Sequence, residues 1–76
     1  MKALVNFLAK ALVDKPELVQ VEELEKDDCL VFELRVAKDD LGKVIGKQGR
    51  TAKAIRTLIM ATAARHDKKA KLEIIE

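Results

Sequence analysis

The chain has 76 residues, a net charge of +2 and 49% hydrophobic residues. That is enough for one compact domain, too apolar for a disordered tail, and without an apolar run long enough to cross a bilayer. A single cysteine, Cys29, and a single histidine, His66, exclude an internal disulfide and a cysteine metal cluster and leave no nucleophile–base–acid set.

Residues Lys2 to Val13 read as a helix, with Leu4, Phe7, Leu8, Ala11 and Leu12 at the spacing of one buried face. Asn6 and Lys10 interrupt the apolar stretch, so it reads as an ordinary amphipathic helix of a cytoplasmic protein and not as a secretory leader. Asp14-Lys15-Pro16 ends it, because the residue before proline is pushed out of helical geometry. Leu18 to Glu25 predicts a strand. Val19 and Val21 share a face, but Glu22-Glu23 breaks the alternation, as a bulge or an edge position would. Lys26-Asp27-Asp28 is a polar turn. Cys29 to Val36 is a clearer strand, with Leu30, Phe32, Leu34 and Val36 facing one way. Cys29 reads as a small half-buried hydrophobe.

Lys38-Asp39-Asp40 offers an N-cap, with Asp39 the better candidate. A short helix follows from about Asp40 to Ile45. Gly46 ends it and Gly49 opens the next, which runs from about Arg50 to Arg65 with Ala54, Ile55, Leu58, Ile59 and Thr62 as its apolar face. His66, at its end, suits the helix dipole. Asp67-Lys68-Lys69 is a loop, and Lys71 to Ile75 a last strand with Leu72 and Ile74 on one face. The order is α-β-β-α-α-β over a single domain, residues 1–76. The expected class is α+β, helices packed on one face of a three-stranded sheet.

Charge is unevenly spread. Between Lys38 and Arg56 stand six basic residues and two acidic ones, so the rest of the chain carries a net −2. Positive charge gathered in one segment suits an anionic partner. Within it, Gly46-Lys47-Gln48-Gly49 joins two helices. A glycine closing the first can take a left-handed conformation. A glycine opening the second lets another backbone approach the free N–H groups of the helix start. Lys47 and Arg50 add charge, with Lys43 and Lys53 nearby, which makes a basic, open loop suited to a phosphodiester backbone. It is not a P-loop: Gly42 to Gly46-Lys47 is one residue short of GxxxxGK[ST], and Gln48 stands where the hydroxyl should be. The dinucleotide fingerprint GxGxxG is absent. With two phenylalanines and no Trp or Tyr, the stacking platform of RRM and OB folds is excluded as well.

The run Val44-Ile45-Gly46-Lys47-Gln48-Gly49-Arg50-Thr51-Ala52-Lys53-Ala54-Ile55-Arg56 resembles the KH-domain signature. The element order is similar to the type II, prokaryotic arrangement, and the whole chain resembles the small bacterial KhpA-type (YlqC-like) RNA-binding proteins. Ala52 departs from the general pattern, where a larger aliphatic residue is common, and would thin the packing behind the loop. The resemblance implies a non-enzymatic protein, with no cofactor, metal or small-molecule substrate. Its loop would clamp about four nucleotides of single-stranded RNA. On that reading Gly46 and Gly49 allow close approach, and Lys47 and Gln48 reach phosphate or sugar. Val44 and Ile45, with aliphatic residues of the short helix and the neighbouring strand, would form the floor under the bases, Ile45 being mainly core and Val44 divided evenly between core and floor. Arg50 and Lys53 supply the electrostatic rim, and Lys43 is counted with them among the RNA-binding residues.

The resemblance further implies a role as an RNA chaperone or post-transcriptional regulator in cell shape and cell wall organization. The protein would work as a homodimer or with a larger KH protein of the KhpB, Jag or EloR type. Thr57, Met60, Ala61 and Ala64, off the core face of the long helix, are the candidate dimer surface. The rival expectation is a protein-interaction adaptor whose RNA contacts are secondary.

Overall fold

A computed structural model describes residues 1–76. Helix α1 spans Lys2–Leu12, and strands β1 (Gln20–Lys26) and β2 (Cys29–Arg35) follow. Then come helices α2 (Leu41–Ile45) and α3 (Arg50–Ala64), and strand β3 (Lys69–Ile75) closes the chain. Single 3₁₀ turns at Pro16–Leu18 and Lys38–Asp40 precede β1 and α2, and a tight turn over Lys47–Gly49, with Gln48 at positive φ, joins α2 to α3. The order is the expected α-β-β-α-α-β. No helix is long and apolar enough to cross a membrane.

β1 and β2 form an antiparallel hairpin in unbroken register from Gln20↔Arg35 to Lys26↔Cys29. Asp27 and Asp28 form its two-residue turn, both at positive φ (50° and 63°). That is the geometry of a hairpin turn whose twist matches the strands, and Asp tolerates it. β3 pairs in parallel on the other side of β2, giving the order β1-β2-β3. A parallel pair needs a long crossover, and α2 and α3 supply it. The irregular pattern of β1 therefore marks an edge strand, without a bulge. The strand begins at Gln20, not Leu18, because Pro16 starts a 3₁₀ turn that takes up Leu18. β3 begins two residues earlier than expected, at Lys69.

The core is a single cluster centred on Phe32, Leu34, Val44 and Ile59, with Val5, Ala9, Ile55, Ala63 and Leu72 around them. Full burial of one such large side chain contributes about 2 kcal/mol. The faces that α1 and α3 turn to this core are not the expected ones. α1 buries Val5 and Ala9, while Phe7 is 69% and Leu12 40% exposed. α3 buries Ala52, Ile55, Ile59 and Ala63, and leaves Ala54 and Leu58 outside. In both helices alanines lie at the sheet, where a short side chain lets the helix axis approach closely. On the far side of the sheet, Val31 is also buried, between Leu24 and Lys71 in the neighbouring strands.

Candidate nucleic-acid interface

The loop between α2 and α3 is held by one glycine that the backbone requires and a second that leaves the approach open. Gly46 adopts φ 78°, ψ 171°, a region essentially closed to residues with a side chain. A Cβ built there would lie 2.2 Å from Thr51 Oγ1. Its N–H still closes α2 by donating to the Gly42 carbonyl at 2.9 Å. Gln48 (φ 58°) and Gly49 (φ 74°) are both left-handed, and the Gly49 N–H donates back to the Gly46 carbonyl at 3.1 Å. A Cβ on Gly49 would touch nothing within 4 Å. Gly46 thus fixes the turn, and Gly49 leaves free space in front of α3.

No side chain caps the N-terminus of α3. The Arg50 N–H donates to the Lys47 carbonyl of the preceding turn, and the positive end of the helix dipole lies beside exposed Lys47, Gln48 and Arg50. Lys53 and Arg56 follow along the helix, also exposed. None of these four cations takes part in the ion pairs of the fold, which join Lys43 to Asp14 and Asp40, Lys68 to Glu25, and Lys71 to Glu73.

Lys43 is therefore not a free rim charge. Its ammonium donates to Asp14 and, at 3.4 Å, to Asp40 Oδ1. Asp40 is 1% exposed, the one buried charged residue. Its carboxylate accepts from the backbone N–H of Lys15 at 3.0 Å and of Asp14 at 3.3 Å. The expectation that Asp39 caps α2 is corrected here. Asp40 occupies the N-cap position, and its side chain makes no cap bond. It turns instead to the two N–H groups left open where α1 ends. Burial pushes the Asp40 carboxyl up, but the two backbone donors and the Lys43 ammonium outweigh it and hold the group below its ordinary value. The bond to Asp14 raises Lys43, burial opposes it, and the bond to Asp40 adds to the rise. This cluster ties the end of α1 to the helix that carries the loop.

The reading of Ile45 as mainly core is reversed, and Val44 falls to the core. Val44 is fully buried and belongs to the core, whereas Ile45 is 38% exposed at the loop. Ile45, not Val44, offers aliphatic surface at the loop. Ala52 is 7% exposed, so a small residue suffices behind the loop. Thr57, Met60, Ala61 and Ala64 all lie on the exposed side of α3. The Thr57 hydroxyl is spent on the Lys53 carbonyl at 2.9 Å.

Sequence reasoning missed a groove of about 500 Å³ where the last turns of α3 meet the start of β3. Met60, Ala64, Cys29 and Ala70 line it, with Lys68, Lys69 and Lys71 around them. The signal was present: four basic residues against one acidic between Arg65 and Lys71. Only the fold brings them beside Met60.

A short helix, a glycine-bracketed turn, a longer basic helix and a parallel strand pair behind them define a type II KH-like domain. The chain matches the family described as "KhpA/KhpB, KH domain" over residues 2–74, and it belongs to that family. It is 55% identical over 75 residues to the RNA-binding protein KhpA of Clostridium perfringens, covering 99% of this chain and all of that one. It is 53% identical over 76 residues to the RNA-binding protein KhpA of Listeria monocytogenes, covering both chains in full. To the RNA-binding protein KhpA of Chlamydia trachomatis it is 50% identical over 76 residues, 100% of this chain and 97% of that one. Among solved structures, Era from Aquifex aeolicus, as the Y63A variant bound to GDP and aluminium fluoride, superposes with a TM-score of 0.65 at 22% identity. The match covers 96% of this chain and 28% of Era, a likeness of fold.

Proposed function

We propose that the chain binds single-stranded RNA through the Gly46–Gly49 turn, with Lys47, Gln48, Arg50 and Lys53 on the sugar–phosphate backbone and Ile45 under a base. The observation that carries this reading is the uncapped start of α3, with unpaired cations beside it and open space in front of Gly49. The relatives named above are called RNA-binding proteins, which points the same way. Binding is weak and salt-sensitive, since phosphate contacts displace counterions and aromatic stacking is lacking.

The double variant Lys47→Asp/Gln48→Asp keeps both glycines and changes only exposed positions. Fluorescence anisotropy with a short single-stranded RNA at low salt is expected to show binding to wild type and at least a ten-fold loss in the variant. Equal binding by both would remove the loop from the site.

The finer reading is a cytoplasmic RNA chaperone or post-transcriptional regulator working as a homodimer or with a larger KH protein of the KhpB type. Doubling a weak site raises its avidity. The outer face of α3 supports such pairing: Thr57 and Ala61 are small and exposed, and Leu58 beside them is about half exposed. That same face favours the second reading, an adaptor that contacts a protein first and RNA second. Light scattering at high concentration distinguishes them from a monomer: twice the chain mass is expected, and one chain mass would remove the self-pairing.

A further inference from the structure

The flank of α3 facing β3 joins the loop to the groove at the far end of the helix. Lys53, Arg56, Met60 and Ala64 recur at three- and four-residue intervals, so they form one stripe. Met60 and Ala64 at its end line the groove, which places the stripe on the β3 side. α3 is 15 residues long, about 22 Å from end to end. The stripe thus begins with unpaired cations beside the glycine turn and runs into an apolar floor made by Met60, Ala64, Cys29 and Ala70. Three lysines stand around that floor. Lys69 makes no ion pair, Lys68 donates to Glu25 at 3.0 Å, and Lys71 stands 3.8 Å from Glu73. Both pairs are exposed and hold their lysines only weakly.

An apolar floor edged by cations fits a nucleobase with its flanking phosphates. It does not fit a purely apolar peptide, which would leave the ammonium groups without partners. We propose that the groove is a second nucleotide subsite, taking the part of the same single strand that extends past the loop. The assignment rests on the loop reading above for the direction of the strand. The four nucleotides or so that such a loop clamps then fill only the first half of the track.

The test uses the full chain and two uniform single-stranded RNAs, one of about four nucleotides and one of about eight. Lys69→Gln/Lys71→Gln removes two cations at exposed positions, and Met60→Ala shortens the floor. The loop and the groove stand at opposite ends of the 15-residue α3, a span of about 22 Å against a Debye length of about 10 Å, so screening limits the reach of the lysine change at physiological salt. The lysine variant is expected to bind the longer strand roughly ten-fold less tightly, with a shallower salt dependence, and the shorter strand unchanged. Met60→Ala is expected to weaken the longer strand alone. Equal effects at both lengths, or none at either, would overturn the subsite. So would variants that change the mass in light scattering but not the affinity for the longer strand, which would give the groove to a second copy. Lys47→Asp/Gln48→Asp, run alongside, reports on the loop separately: loss of the short strand there, and not in the lysine variant, distinguishes the two positions.

Discussion

At Gly46 the requirement is steric as well as conformational. Alanine there would force both the dihedral and Thr51 to change, and a loss of about 3 kcal/mol or more is expected. Gly49→Ala meets nothing, so only the left-handed strain of about 1 kcal/mol applies. Thermal melts of the two variants check the difference; equal losses would mean that Thr51 does not crowd Gly46. The sequence made both glycines visible as a bracket, but their unequal roles depend on where Thr51 sits. Asp40 was hidden for a similar reason. Its partners, the N–H groups of Asp14 and Lys15, are far away in the chain, and local rules see only a helix cap. A carboxyl held below its ordinary value of 3.8 contributes its stability above that value and loses it as pH falls through the lowered one. The Tm of the wild type is therefore expected to drop below about pH 4. Asp40→Asn should start lower and lose that part of the acid dependence; an unchanged acid limb would exclude Asp40 as its source.

At the scale of the element, order and type were legible throughout, and the buried faces of α1 and α3 were not. α1 has only Lys2, Asn6 and Lys10 as polar residues, so its apolar arc is wider than the line that touches the sheet. The contact falls on Val5 and Ala9, about one residue, or 100°, to one side of the arc's centre. α3 rotates likewise toward Ala52 and Ala63. In each, close approach through alanine prevails over burial of the largest side chain. In β2 the alternation was clear, and Leu30, Phe32 and Leu34 are buried as expected. The opposite face holds an arrangement that needs the register to be seen: Glu22, Glu33 and Glu73 stand side by side across the three strands. Like charges directly opposite one another are unfavourable. Glu33→Lys would convert two repulsive pairs into attractive ones, and a gain of about 0.5–1 kcal/mol in urea unfolding is expected. A loss would mean that Glu33 is held by something other than its neighbours.

Across the whole molecule, the loop end of α3 and the three-strand glutamate row carry opposite charge. Lys47, Arg50, Lys53 and Arg56 stand unpaired at the loop and along α3, and the glutamate row lies on the open face of the sheet, with Lys71 beside Glu73. A net charge of only +2 conceals this polarity. On the proposed reading, an anionic strand favours the loop end of α3 over the glutamate row. The class of fold and the loop were readable because the signature is contiguous. The groove and the charge separation were not, since each joins residues from distant segments. The most direct test of the account is amide chemical-shift mapping of the full chain with a single-stranded RNA of about four nucleotides. The largest shifts are expected at Ile45 to Arg50 and Lys53, with the core amide of Val44 moving less than that of Ile45. Shifts centred on the glutamate row, or confined to Thr57–Ala64 with the loop silent, would contradict it.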